Sequence, residues 1–405
     1  MRRIVCALML IAGGPLARAD DVHADRFTLR GFGTLAITTH DADGIEFRRN
    51  VGQARGIAAH EPGIDSDSLA GLQLNARLAE QAVLVVQGVT RMDVEGEWSP
   101  RVTQAFIRYS PDESLVFRGG RFGYDIYLLA ESRQVGYSYV AIRPSQDFYG
   151  LVTHDEVDGI DVSWTARLGR GLVKTRVFGG RGSDATAMPD GTHWEGRSDV
   201  VGVTLDYSWR AWTARAAALQ VEYGGNPDLA MLGQALVGTG APEATAIGEE
   251  LIGSTQASRG MQLGVAYDGG PLQAQLLYGH ILSDSIAGPS VRAWLAQVGY
   301  RVKAWTPFIS HSRSRDSEAI RSTGLPDIPE LAPLNGMVRQ LQDNMRATQR
   351  STSVGVRWDV SPRWDVKLQA DFTSIGDSVL NFDRRTGGNG SGNMTVLTAG
   401  VDFVF

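Results

Sequence analysis

The chain has 405 residues, 43% hydrophobic and 21% charged, a balance that excludes a disordered or low-complexity polypeptide. Its formal net charge of -6 excludes an overall basic nucleic-acid binder, and its single cysteine excludes an intrachain disulfide framework or a cysteine-based zinc site. Mean hydropathy is -0.14, and beyond the N-terminal segment no apolar run approaches the roughly 20 residues of a membrane helix, so a helical membrane protein is excluded as well.

Residues 1–19 read as an export signal. Arg2 and Arg3 form a basic start, residues 4–12 are apolar, and Ala17-Arg18-Ala19 is a small-x-small cleavage site. Cleavage predicts a mature chain from Asp20 that lacks cysteine and carries 36 basic against 45 acidic residues, a net charge of -9. A thiol-free chain cannot be cross-linked while it crosses an oxidising compartment unfolded.

From residue 26 the hydrophobic period is two. Val354, Val356, Trp358 and Val360 alternate with polar residues; Trp364, Val366, Leu368, Ala370 and Phe372 alternate with Asp365, Lys367, Gln369, Asp371 and Thr373. The pattern predicts sixteen strands: 26–38, 68–79, 81–92, 100–110, 114–122, 157–167, 171–180, 199–208, 211–222, 258–268, 271–282, 290–301, 302–312, 351–360, 363–374 and 392–405. Parity is blurred in 114–122, 211–222 and 302–312. Short connections carry turn residues, among them Pro111-Asp112-Glu113, Gly269-Gly270-Pro271 and Ser361-Pro362-Arg363. They alternate with long ones at 39–67, 93–99, 123–156, 181–198, 223–257, 283–289, 313–350 and 375–391. Residues 334–349 have the composition of a short helix within one of them.

A soluble sandwich has no reason to place every tight turn at one end. A closed barrel in lipid has one, and it pairs every backbone N–H and C=O without an apolar helix. The expected fold class is therefore all-β: a transmembrane antiparallel up-and-down β-barrel of about sixteen strands over 20–405. Tyr109, Trp164, Tyr207, Trp209, Trp212, Tyr267, Tyr278, Trp294, Tyr300, Trp305, Trp358 and Trp364 fall near strand ends, as aromatic girdles require. Gly31-Phe32-Gly33-Thr34-Leu35-Ala36 fits a dinucleotide fingerprint as a string but lies in a strand pattern with no helix after it. Seven scattered histidines lack ligand spacing, and Asp41-Ala42-Asp43-Gly44 reads as a solvated acidic loop, so neither cofactor nor metal is expected. His154-Asp155 could pair a base with its orienter, but no serine motif accompanies it; a barrel-embedded hydrolase is the alternative of another class. A plugged adhesive barrel is a further one, and a plug-type transporter is disfavoured because little precedes the first strand.

The last strand ends Val401-Asp402-Phe403-Val404-Phe405, the first opens Arg30-Gly31-Phe32-Gly33-Thr34-Leu35, and Thr103-Gln104-Ala105-Phe106-Ile107-Arg108-Tyr109 is followed by Leu115-Val116-Phe117-Arg118-Gly119-Gly120-Arg121-Phe122. These stretches and the overall layout resemble the general porins of the Gram-negative outer membrane. The resemblance implies a homotrimer in outer-membrane lipid, assembly machinery that reads Phe405, and passive diffusion of small hydrophilic solutes and ions; a substrate-specific channel is the alternative. It also implies that the third loop, 123–156, folds into the barrel and narrows the pore. Acids on that loop would then face basic wall residues. The channel-lining set expected on this basis is Arg108, Lys174, Arg176, Arg357 and Lys367 on the wall by parity, Arg118 and Arg121 at the loop entrance, and Asp125, Glu131, Arg133 and Asp147 on the loop. Tyr124, Tyr127, Tyr137, Tyr139, Phe148 and Tyr149 add aromatics that could stack on a solute, and the short second loop weakens the trimer expectation.

Overall fold

The alternating pattern folds as sixteen long strands and two short ones in a computed structural model that describes residues 26–405, apart from 124, 129–131, 152–153, 189–190 and 254 and the side chains of 154, 155, 184 and 255. The expected export signal, Tyr124 and Glu131 lie outside the described residues. In chain order the strands are β1 Phe27–His40, β2 Ile45–Phe47, β3 Ile57–Ala58, β4 Leu69–Ala79, β5 Ala82–Met92, β6 Trp98–Tyr109, β7 Leu115–Gly123, β8 His154–Leu168, β9 Gly171–Ala187, β10 His193–Trp209, β11 Trp212–Gly224, β12 Thr255–Gly269, β13 Leu272–Ser283, β14 Val291–Tyr300, β15 Trp305–Asp316, β16 Ala347–Ser361, β17 Trp364–Asp383 and β18 Gly388–Val404.

Every wall strand, β1 and β4–β18, runs antiparallel to its neighbours, and β1 pairs with both β4 and β18, which closes the barrel. Closure is tight at its last residue: Gly31 N–H donates to the Phe405 carbonyl at 3.0 Å and Phe405 N–H donates back at 2.9 Å. A side chain at Gly31 would run into the Phe405 ring. The glycines of the dinucleotide-like string thus make room for C-terminal aromatics.

All sixteen predicted strands are present. Two predicted loops are not: over 181–198 and 375–391 the chain continues as paired strands to Ala187 and Asp383 and returns at His193 and Gly388. Backbone pairing continues there without an alternating apolar face, because strands that rise clear of lipid need none.

The two faces are inverted relative to a soluble protein. Leu35, Ile107, Ile160, Val201, Leu263, Leu276, Leu368 and Leu397 are exposed, whereas Thr34, Gln104, Asp161, Arg176, Gln262, Thr306, Lys367 and Asp371 are buried inside. An apolar exterior around a polar interior is the arrangement lipid selects. Next to the short turns the girdle residues pair across strands in register: Trp305 stacks on Trp358 with centroids 5.2 Å apart, Trp212 lies 4.8 Å from Tyr267, and Trp364 lies 5.2 Å from Phe403.

At the long-loop end, helices α2 Pro227–Gly238, α3 Pro242–Ile252 and α4 Ala332–Asp343 share an apolar core of Leu236, Ala244, Ile247, Leu251 and Val338. The Asn226 side chain caps α2 by accepting from the Asp228 amide at 2.8 Å, and Pro227 fits the first turn, where no N–H is needed. α4 answers the helix expected over 334–349; α2 and α3 were expected only as loop.

Candidate functional site

Between Gly123 at the end of β7 and His154 at the start of β8, the third loop enters the barrel and is tied to the inner wall at four places. At its start, Asp125 forms ion pairs with Arg176 of β9 and, at 2.9 Å, with Arg215 of β11. Arg215 also holds Asp206 at 2.7 Å and the Tyr127 carbonyl at 2.6 Å. Burial alone would raise the Asp125 pKa, but the two guanidiniums outweigh it and hold the carboxyl well below the usual range.

The tip is the second tie. Lys367 of β17, 1% exposed, donates from Nζ to the carbonyls of Gly136, Tyr139 and Ala141 at 2.8, 2.7 and 3.0 Å and pairs with Asp402 at 2.7 Å. Arg357 of β16 donates to the Tyr137 carbonyl at 2.7 Å and pairs with Asp365 at 3.0 Å. Gly136 fits because it has no side chain: a Cβ there would strike Asp402 and Thr34. The Tyr139 hydroxyl is pushed up to about 12 by burial.

The third tie reverses the expected polarity. Arg143, on the loop, pairs with Asp67 and with Asp371 of β17 at 2.8 Å, donates to Thr398 at 2.8 Å and lies 4.6 Å from the Phe47 ring. The fourth is the short helix α1, Gln146–Tyr149. Its Asp147 accepts from Ser312, Gln349 and Ser351 at 2.8, 2.5 and 2.9 Å, with no described cation at ion-pair distance, and burial raises its pKa. Alongside, Tyr127, Phe148 and Tyr149 meet edge to face and pack on Phe106, Phe122, Phe178, Leu277 and Leu295. These three loop aromatics form part of that core.

The candidate wall residues separate by parity. Arg108, Arg118, Lys174, Arg176, Arg357 and Lys367 face inward; Arg118 is paired with Asp161 at 2.5 Å. Arg121 is a correction. It shares the outward face of Phe117 and pairs at 2.7 Å with Asp158, itself on the face of exposed Ile160. Residues three apart in a strand lie on opposite faces, so Arg118 and Arg121 cannot both line a lumen. Arg133 lies on the loop and lines a cleft of about 80 Å³ together with Arg49, Arg91, Arg101, Glu156 and Glu195. Residues missed in the sequence are Arg215 and the inward acids Asp365 and Asp402; the two acids share the polar face of Lys367 or its neighbour strand and were legible by parity.

Between loop and wall one narrow opening is lined mostly by uncharged polar groups. A cleft of about 40 Å³ is lined by Gln275, Gln297, Ser310, Ser353, Gln369 and Thr373 beside Arg143 and Asp371. Under the helical cap lies a larger apolar chamber of about 260 Å³, with Tyr127, Phe148, Trp194, Tyr223, Leu229 and Leu341 on its walls.

No family model and no curated protein matches the chain in sequence. In three dimensions it matches OmpF of Salmonella typhi, solved in complex with daunomycin, at a TM-score of 0.55 and 11% identity over 94% of this chain and 97% of that one. It matches an anion-selective porin from Comamonas acidovorans at 0.54 and 11% over 94% and 99%, and the outer-membrane channel DcaP of Acinetobacter baumannii at 0.53 and 12% over 94% and 97%. At these identities the likeness is one of fold: the chain has the barrel of Gram-negative outer-membrane porins.

Proposed function

We propose that the chain is an outer-membrane porin, a water-filled channel through which small hydrophilic solutes and ions diffuse passively. The observation that carries this reading is the third loop tied across a polar lumen inside a barrel whose outer face is apolar. Such a strap sets the width of the passage, and charges beside it act strongly because the surrounding walls have low dielectric. On this reading residues 123–156 form the constriction, and Asp125, Arg143, Asp147, Arg176, Arg357 and Lys367 hold the strap in place more than they project into the stream. Residues 1–19 serve export, Phe405 is read during assembly, and three copies associate in outer-membrane lipid. The reading assigns no catalysis.

Liposome swelling tests it. Refolded mature chain in vesicles is expected to admit sugars at rates that fall with solute size; vesicles that stay as tight as protein-free ones contradict the reading. A substrate-specific channel is the second reading, favoured by the apolar chamber above the strap. Saturable block of conductance by one solute separates the two.

A further inference from the structure

Between the third loop and the helical cap the barrel encloses an apolar chamber of about 260 Å³. Ile126, Tyr127 and Phe148 close it from the loop, Leu229 of α2 and Leu341 of α4 from the cap, and Trp194 with Val221 from the wall. Gly260 of β12 and Gly279 of β13 put no side chain into it. An engineered cavity of roughly 150 Å³ lined by such groups stays dry and takes up benzene, so this one has room for a second ring. Its described lining holds no lysine or arginine. Asp147 has both carboxylate oxygens engaged, one by Gln349 and Ser351 and the other by Ser312, and His280 turns to Arg292 at 3.4 Å. Neither side chain is left to meet a charged solute.

One polar edge interrupts this lining. Among the described residues Ser258, on the inward face of β12 and 5% exposed, has a hydroxyl with no hydrogen-bond partner. Gln256, two residues back on the same face, also lines the chamber, and its amide makes no hydrogen bond to a described residue. Buried polar groups in folded proteins are nearly always paired, so an unpaired one at a cavity wall marks where the polar group of a ligand can bond. Aromatic rings gain most from edge and face contacts with other rings, which Tyr127, Phe148 and Trp194 supply. We propose that the chamber is a binding site for a small uncharged bicyclic aromatic solute with one hydrogen-bonding group, its rings among Tyr127, Phe148 and Trp194 and its polar group at Ser258. This goes beyond the passive diffusion of hydrophilic solutes and stands whether or not the lumen conducts.

The test is equilibrium dialysis of the refolded mature chain in detergent at neutral pH, with empty micelles as the blank, against naphthol, naphthalene and naphthoate. Saturable binding of naphthol is expected, with naphthoate at least tenfold weaker. Ala293→Phe, which fills the chamber from β14, is expected to abolish binding, while Ala296→Phe, on the outer face of the same strand, leaves it unchanged. Ala287→Phe, in the connection before β14, carries the test if Ala293→Phe refolds poorly. Ser258→Ala is expected to weaken naphthol by about threefold to tenfold, the worth of one neutral hydrogen bond, and to spare naphthalene. Naphthol held no better than by the blank, equal loss in Ala296→Phe, naphthoate bound as well as naphthol, or equal weakening of naphthol and naphthalene by Ser258→Ala overturns the proposal. Protein that swells vesicles yet binds no naphthol refutes this site alone; protein that binds naphthol yet leaves vesicles tight refutes the channel alone.

Discussion

The hydroxyl of Tyr137, at the tip of the third loop, donates to the carbonyl of Pro362 in a short turn at the opposite end of the barrel, 3.0 Å away. A loop that leaves β7 at the long-loop end therefore runs down the lumen to the other mouth. The lumen-facing charges along that path, Arg143, Arg357, Lys367, Asp365 and Asp402, read as a set of ties for the strap.

Lys367→Ala removes the one cation that satisfies three loop carbonyls and Asp402 together. Breaking a buried pair by removing one partner costs about 3 to 5 kcal/mol. The barrel is expected to stay folded, because its strands pair independently of the tip. The tip is expected to come loose, seen as larger and noisier single-channel steps and as new protease cleavage near Tyr137. Unchanged steps would show that the tip does not limit the passage.

Asp125 gives a pH prediction. Its carboxyl is held below its unfolded value near 4, so the stability it contributes is fully present above that value and lost only as pH falls through the much lower folded one. The contribution of this tie to the channel steps is expected to stay constant from pH 7 to pH 4. Asp125→Asn is expected to widen them already at pH 7, since it leaves Arg176 and Arg215 facing a neutral group. Steps in Asp125→Asn that match the wild type at pH 7 would show that this carboxylate does not hold the strap.

Trp305 and Trp358 lie opposite each other in register, 5.2 Å apart with 6° between their planes. A double-mutant cycle to alanine, followed by urea unfolding from vesicles, is expected to give a coupling of about 0.5 to 1.5 kcal/mol. A coupling of zero would mean that each ring acts on lipid alone.

Gly31→Ala forces a methyl group into the Phe405 ring at the seam that closes the barrel. Folding yield, read from the heat-shifted band on gels, is expected to drop, and Phe405→Ala in the same chain is expected to restore part of it. Failure of the second substitution to restore any would show that Gly31 is needed for another reason.

Strand order and number were legible because lipid on one side and water on the other impose a period of two that loops do not share. The ends of β9, β10, β17 and β18 were not, because beyond the bilayer a paired strand no longer has to alternate. α2 and α3 were missed although Asn226-Pro227 and Pro242 mark their starts, since the segment was read only as a long connection. The site was legible in part. Arg176, Arg357 and Lys367 followed from parity and do face inward, whereas Arg118 and Arg121 were both set at the loop entrance from a motif, and of the two only Arg118 faces in. Arg215 sits in a strand whose parity is blurred by a run of alanines. Asp365 and Asp402 were legible by parity on the polar faces of β17 and β18, and which base they meet shows only once the two strands lie side by side.

The most direct measurement is planar-bilayer recording of the refolded mature chain. Discrete, voltage-tolerant conductance steps, arriving in threes if copies associate as proposed, are the predicted result. Protein that inserts fully folded into the bilayer yet passes no current above the bare membrane would contradict the account.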